Sequence, residues 1–432
     1  MMSLVETLQR TWGHSDDPFL VSETSALRFA DLAAQDTSDL ARVRSGDVVA
    51  LIGDFEPRSI SRLLTLFDRG CIVVPLTEDT AHDHAYFFDA ALVDVVVQGN
   101  SVSRRAHGQK HPFIEQLRAA GHPGLVLFSS GTTGRPKAIL HDFTHFLKRF
   151  NEPRPTLKTL NFLLFDHIGG LNTLLHTLFN RGTVVAATDR SIESVLRACR
   201  AFEVELLPTT PTFLRMMLMS GAVPDQVPPS LKVITYGTEK MDQPTLDALC
   251  RLLPQVDFRQ TFGMSELGIL RVKSRARDSL FMKVGGEGVE TRVDDHVLKI
   301  RSQTRMLGYL NADSPFDDEG WYNTKDVVEQ DDGWFRVNGR VSDVINVGGL
   351  KFMAADVERV ALEHPDVSLA KAVPRSNPIT GQHVEMTVQT KEGATLERDA
   401  LMQHLTERLP RHMVPRRITL GSVAVGHRFK KA

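Results

Sequence analysis

Between Val48 and Tyr236, short apolar runs alternate with stretches whose apolar residues recur every three or four positions. Val48–Ile52 (VVALI) is apolar throughout, which predicts a strand buried on both faces. Ser59–Asp68 (SISRLLTLFD) has helical spacing, Arg69-Gly70 ends it, and Cys71–Leu76 (CIVVPL) predicts strand again. Leu92–Val97, Leu125–Phe128, Thr183–Ala187 and Leu231–Tyr236 repeat the strand pattern, and helices are expected over Ser191–Phe202 and Thr212–Ser220. Apolar strands alternating with helices predict an α/β protein whose parallel sheets are covered on both faces.

From about Gly285 the texture changes. Gly, Asp and Thr become frequent and the strand-like runs shorten (VLKIRS, GWYNT, DVVEQDDGWFRVNGR). Asp331-Asp332-Gly333 between two such runs is a hairpin signal. Past Ser342 a smaller α+β unit is expected, with helices over Met353–His364 and near Arg398–Arg408 and strands at VSLAKAVP and EMTVQT. The domain boundary is therefore placed at Ser342, dividing the chain into 1–341 and 342–432.

A chain of 432 residues, 42% hydrophobic and 24% charged, has the length and composition of a globular protein of more than one domain. A formal net charge of −2 offers no electrostatic case for nucleic acid or an anionic membrane. Cys71, Cys199 and Cys250 are widely spaced, which suggests neither a disulfide framework nor a zinc site. The first residues show no signal-peptide pattern, and no uninterrupted apolar stretch approaches the ~20 residues of a membrane span. A reducing, cytoplasmic setting is the expectation.

Three windows carry chemistry. In Leu125–Leu140 (LVLFSSGTTGRPKAIL) a strand opens into Ser129, Ser130, Gly131, Thr132, Thr133 and Gly134, followed by Arg135, Pro136 and Lys137. Small residues let backbone N–H groups approach a polyphosphate, while four hydroxyls and two cations add donors and charge. Pro136 before Lys137 and Ala138 after it exclude the usual P-loop spacing. In QTFGMSELG, Glu266 beside Ser265 is a candidate Mg²⁺ ligand, because nucleotide sites hold that hard cation with one or two carboxylates plus phosphates. In GWYNTKD and GRVSDVINVGGLK, Asp326 can accept from both hydroxyls of a ribose and Arg340 can donate to ribose or phosphate.

In the order SSGTTGRPK, TFGMSE, GWYNTKD, GRVSDVINVGGLK, the chain resembles the adenylate-forming superfamily of acyl- and aryl-CoA ligases, adenylation enzymes and luciferases. GDVVALIGDFEPRSISRLLTLFDRGCIVVPL is similar to its first subdomain, so the likeness spans nearly the whole chain. The resemblance implies a large N-terminal domain of two stacked α/β subdomains plus a distorted β-barrel, and a small mobile α+β C-terminal domain. It implies that ATP, with Mg²⁺, and a carboxylic acid react to an acyl-adenylate and pyrophosphate. A thiol, CoA or the phosphopantetheine of an acyl carrier protein, then takes the acyl group.

Carried over by motif, Ser129, Ser130, Thr132, Thr133 and Lys137 would hold the β- and γ-phosphates, with Gly131 and Gly134 shaping the loop. Ser265 would contact the α-phosphate, where threonine is common, and Glu266 would coordinate Mg²⁺. Gly237, Thr238 and Glu239 would wall the adenine, Phe262 would stack on it next to Gly263, and Asp326 and Arg340 would take the ribose. Near the C-terminus the family's bridging lysine falls closest to Lys430, with Phe429 where glycine is usual and Lys431 one residue off. Lys325 stands where glycine usually precedes the ribose aspartate, and Ser342 occupies the hinge.

In LLFDHIGGL, His167 would flank the carboxylate site and the thiol channel. Phe165, Asn172, Thr209, Pro211, Tyr236, Met264 and Leu267 are the expected acid pocket, mostly apolar and suited to an aryl or medium acyl acid. Two other readings stay open: adenylation with a non-thiol acceptor (an amine or nitrogen oxyanion), and a nucleotide-binding relative without catalysis.

Overall fold

A computed structural model describes residues 3–106, 108–129, 135–150, 152–187, 189–391 and 393–424. Two seven-stranded sheets form the body of the molecule. In the first, Gly124–Phe128, Ile72–Leu76, Val48–Ile52 and Val95–Gln98 run parallel. Ser101–Arg104 closes one edge antiparallel, and Ala138–Asp142 with Gly308–Tyr309 closes the other. The three strands Val48–Ile52, Ile72–Leu76 and Gly124–Phe128 are buried at every position, as their unbroken apolar runs require.

The second sheet orders Asp257–Gln260, Val233–Tyr236, Leu206–Thr209, Thr159–Leu160, Val184–Val185, Pro18–Ser22 and Ser25–Arg28, parallel up to the last, antiparallel pair. One core joins the two sheets. Val49, Leu51 and Val73 of the first share it with Phe19, Leu20 and Val184 of the second, and helices Leu4–Trp12, Pro57–Asp68 and Ile168–Phe179 contribute to it. The two α/β units are thus stacked through a common helical layer.

Helices Pro57–Asp68, Ile192–Ala201, Pro211–Met219, Ala354–Leu362 and Arg398–Arg408 lie where periodicity predicts them. Several expected strands are shorter than their apolar runs, Leu231–Tyr236 starting at Val233 and Cys71–Leu76 at Ile72. Leu92–Val97 begins only at Val95, because Leu92 (φ 56°) still closes the turn after helix His84–Ala90 through a bond to Asp89. Thr183–Ala187 contracts to Val184–Val185, the two residues that find parallel partners.

A third sheet of six antiparallel strands, ordered Arg271–Ser274, Met282–Gly285, Trp334–Arg340, Tyr322–Asp331, Val297–Ser302 and Val289–Asp294, stands where the distorted barrel is expected. A fourth sheet packs with helices Ala354–Leu362 and Arg398–Arg408 around a separate core running from Ile345 to Ile418. Arg215 ties it to the second sheet's helical layer: its guanidinium pairs with Asp242 at 3.2 Å and donates to the Ser368 carbonyl. Among the described residues no helix is long and apolar enough to cross a membrane.

Candidate active site

Gly124–Phe128 and Ala138–Asp142 form an antiparallel pair, Phe128 opposite Ala138, so the Ser/Thr/Gly segment falls between two neighbouring strand ends in sequence. Those ends are pinned together: Ser129 N–H donates to the Lys137 carbonyl at 3.1 Å, and Lys137 N–H donates to Ser129 Oγ at 3.0 Å. Ser130, Gly131, Thr132, Thr133 and Gly134 lie outside the described residues. Lys137 reaches over the ring of Tyr309, its Nζ 4.8 Å from the centroid.

Tyr309 links Lys137 to Glu266. Its hydroxyl donates to Glu266 Oε1 at 2.8 Å, and both side chains are buried. Burial and the adjoining carboxylate push the Tyr309 and Tyr322 phenols upward, which keeps both as neutral donors beside Glu266. The Ser265–Glu266 turn is held from beneath by His141, whose Nε2 donates to the Ser265 carbonyl at 2.6 Å. Burial drives His141 down to about 4, so it remains neutral there.

Asp326 and Arg340 face each other across the hairpin Tyr322–Asp331/Trp334–Arg340. The turn is the expected one, with Asp332 (φ 45°) and Gly333 (φ 73°) both left-handed, as a two-residue type I′ connection needs. An irregularity between Val327 and Val328 leaves Asn338 as an extra residue on the return strand, and this slip sets Arg340 rather than Gly339 opposite Asp326. Lys240 Nζ caps the carbonyl of Asn338 at 2.8 Å. Arg340 Nε lies 3.4 Å from Asp326 Oδ1. Burial raises the Asp326 carboxyl to about 6, an upward push that Arg340 only partly opposes.

Lys325, at the position where the resemblance leads one to expect glycine, has φ 60°. Lysine pays a left-handed cost of about 1 kcal/mol there, comparable to the chain entropy a glycine would lose. Lys325→Gly should therefore leave the thermal unfolding midpoint nearly unchanged. Lys325→Val, β-branched in the same conformation, should lower stability by about 1–2 kcal/mol.

A cavity of about 1430 Å³ collects these elements. Ser129, Lys137, Ser265, Glu266, Tyr309 and Arg340 line it, together with Phe262, Gly263 and Thr238. Thr238, on this wall, sits at φ 72°, an unusual conformation for a β-branched residue. Three expected site residues are not on that wall. Gly237 is buried after strand Val233–Tyr236, and Asp326 lies behind Arg340. Glu239 turns to helix Pro211–Met219, where its Oε1 accepts from Thr212 N–H at 2.8 Å.

His167 caps helix Ile168–Phe179, its Nδ1 accepting from Gly169 N–H at 3.0 Å. A neutral ring bonded this way carries its proton on Nε2. The helix presents Asn172, Thr173 and His176 to the cavity. Of the expected acid pocket, Asn172, Thr209 and Met264 line it, whereas Phe165, Tyr236 and Leu267 belong to the packed cores. The wall is more cationic than the apolar sequence pattern predicts, since Lys148, Arg149, Arg154 and Arg271 also face it. Lys430 and Lys431 lie outside the described residues.

Tyr309 and Arg149 carry no local sequence signal; Tyr322 stands inside GWYNTKD but its partner does not. Glu266 is a single carboxylate, and among the described residues no group of three His, Cys, Asp or Glu gathers. That donor set suits a Mg²⁺ ion whose other ligands are phosphate oxygens and water, and does not suit a site formed by protein alone.

A family model described as AMP-binding enzyme matches residues 13–297, and one described as AMP-binding enzyme C-terminal domain matches 356–422. The chain is 25% identical over 338 residues to 4-coumarate–CoA ligase 3 of Arabidopsis thaliana, covering 70% of this chain and 60% of that protein. It spans about three-fifths of the length of the curated relatives it matches. Its fold is shared with the anthranilate CoA ligase AuaEII solved with anthranoyl-AMP (TM-score 0.80, 18% identity, 100% of this chain and 95% of that one). It is shared too with the amide bond synthetase McbA of Marinactinospora thermotolerans (TM-score 0.78, 20% identity, 99% and 98%). The chain belongs to the AMP-binding enzyme family.

Proposed function

We propose that this protein activates a carboxylic acid with ATP, releasing pyrophosphate, and passes the acyl group to a thiol, either CoA or carrier-protein phosphopantetheine. The observation that carries the reading is the single cavity onto which Ser129, Lys137, Ser265, Glu266 and Arg340 converge from separate segments, with His167 and its helix forming another part of the wall. The CoA-ligase activity in the name of the Arabidopsis relative supports the same reading.

In the first step a carboxylate oxygen attacks the α-phosphorus and the bond to the bridging oxygen breaks, so negative charge moves onto pyrophosphate. Lys137 and the loop it terminates meet that charge, and Ser265 donates to the α-phosphate. Donors already fixed in place cost no reorganisation as charge develops. Glu266, with phosphate oxygens, would hold Mg²⁺, which supplies charge neutralisation on the phosphates. Asp326 accepts from the ribose hydroxyls once the exposed Arg340 side chain in front of it turns to donate to the nucleotide, and Thr238 and Phe262 border the adenine. Lys430 bridges the carboxylate and the α-phosphate. In the second step a thiolate attacks the acyl carbon and AMP leaves. Ser342 divides 1–341 from the C-terminal domain 342–432 and absorbs the backbone rotation between steps.

ATP–pyrophosphate exchange across a panel of aryl and medium-chain acids tests the first half-reaction; no exchange with any acid overturns it. The shared fold with an amide bond synthetase favours keeping an amine acceptor as a second reading. AMP release that rises with added amine and not with CoA or carrier protein would establish that alternative.

A further inference from the structure

Helix Ile168–Phe179 runs along the cavity from His167, and His176 lies nine residues further on, roughly 13 Å at the helical rise. Beside its last turns packs the segment Lys148–Phe150, with the Phe150 ring stacked on Phe179 at 5.3 Å. Arg154 N–H donates to Asn180 Oδ1 at 2.6 Å, fixing the following stretch to the same helix end.

Arg149 is in this corner and lines the cavity. Its guanidinium lies 4.4 Å from the Phe146 ring centroid and against Gly268, two residues past Glu266. A Cβ at position 268 would stand 2.4 Å from Nη2, so the glycine is what makes room for the cation. All three guanidinium nitrogens are shielded from solvent, and none has a hydrogen-bond partner among the described residues. Other arginines with shielded guanidinium groups find partners: Arg215 pairs with Asp242 at 3.2 Å, Arg190 with Asp54 at 3.3 Å and Arg62 with Asp39, while Arg277 donates to the carbonyls of Val256 at 3.1 Å and Leu253 at 2.7 Å.

The acid nearest in sequence is already engaged, Glu152 pairing with Arg271 at 3.1 Å. Burial, reinforced by Arg154, lowers the Arg149 group to about 10, which leaves it charged at neutral pH. A structural arginine would be expected to find an acid or carbonyl oxygens, because an unpaired buried charge destabilises a fold. Here the partner is expected from the cavity.

We infer that Arg149 forms the far end of the acid pocket and receives a second carboxylate of the substrate, so that the acid activated is a medium-length dicarboxylic acid. The inference rests on the adenylation reading above. A carboxylate matches the guanidinium fork with two parallel hydrogen bonds, stronger than the contact to Phe146 that it replaces as the guanidinium turns toward the cavity. The roughly 13 Å between the His167 and His176 levels accommodates an aryl or alkyl spacer between the two carboxylates.

Matched acids test it in pyrophosphate exchange: octanedioate against octanoate, and 3-(4-carboxyphenyl)propanoate against 3-phenylpropanoate. The unmodified protein should favour each dicarboxylate in kcat/KM by about tenfold to a hundredfold. Arg149→Met should abolish that preference with KM for ATP unchanged, and Arg149→Lys should retain part of it. Because an unpaired charge is removed, Arg149→Met should unfold at the same or a higher temperature. A preference for the monocarboxylates, or a ratio unmoved by Arg149→Met, overturns the assignment. So does a variant that raises KM for CoA alone, which would give the charge to the phosphates of the thiol substrate. If no acid supports exchange, the adenylation reading fails separately, and calorimetric titration of octanedioate without nucleotide decides the subsite. Weaker binding to Arg149→Met supports it, and equal binding overturns it.

Discussion

Glu266→Gln is expected to lower ATP–pyrophosphate exchange about a hundredfold to a thousandfold, or about 3–4 kcal/mol of transition-state stabilisation. Glutamine preserves the acceptor that Tyr309 addresses at 2.8 Å, so the packing around position 266 survives while the negative charge is lost. The measurement separates charge from structure: circular dichroism and the unfolding midpoint should stay near those of the unmodified protein as exchange collapses. Tyr309→Phe removes only the hydroxyl beneath that carboxylate and should cost about tenfold. A Glu266→Gln protein within a few-fold of full activity would remove Glu266 from the proposed metal site.

Asp326 should make ATP binding pH-dependent in a range where an exposed aspartate is silent. The ribose hydroxyls need an ionised acceptor, and burial raises this carboxyl to about 6. As pH falls through about 6 the carboxylate is protonated, and KM for ATP should rise about tenfold to a hundredfold. Asp326→Asn should show the high KM at neutral pH and lose the inflection. The sign for stability is opposite. The folded carboxyl titrates above its unfolded value of 3.8, so its contribution to the fold is fully present below that value and declines as pH rises through about 6. An inflection in KM near pH 4, or none in the unmodified protein, would separate Asp326 from the nucleotide.

Most of the fold can be read along the chain because buried parallel strands require unbroken apolar runs and their covering helices require a 3.6-residue stripe. Val48–Ile52, Ile72–Leu76 and Pro57–Asp68 follow this rule. It fails at Leu92–Val97, where the apolar run includes a helix-terminating turn that hydrophobicity cannot distinguish from strand. The hairpin of Asp326 and Arg340 divides the same way. Asp332-Gly333 announces the turn, but simple counting from it would pair Asp326 with Gly339, and only the extra residue at Asn338 brings Arg340 across.

Glu239 shows why motif position alone is insufficient. It stands beside Thr238 in sequence, yet its carboxylate meets the unpaired N–H of a helix start, a nearby donor that no spacing reveals.

The class of architecture, the order of the windows rich in phosphate-binding chemistry, the turn at Asp332-Gly333 and the resemblance those windows carry are all legible in the chain before it folds. These depend on local composition and periodicity, which act over a few residues. That Tyr309 serves Glu266, that Arg340 faces Asp326, and that Arg149 packs against Gly268 without an acid beside it emerge once distant segments meet. Each of those depends on groups 14 to 119 positions apart meeting in a low-dielectric interior, where burial and pairing set the charge.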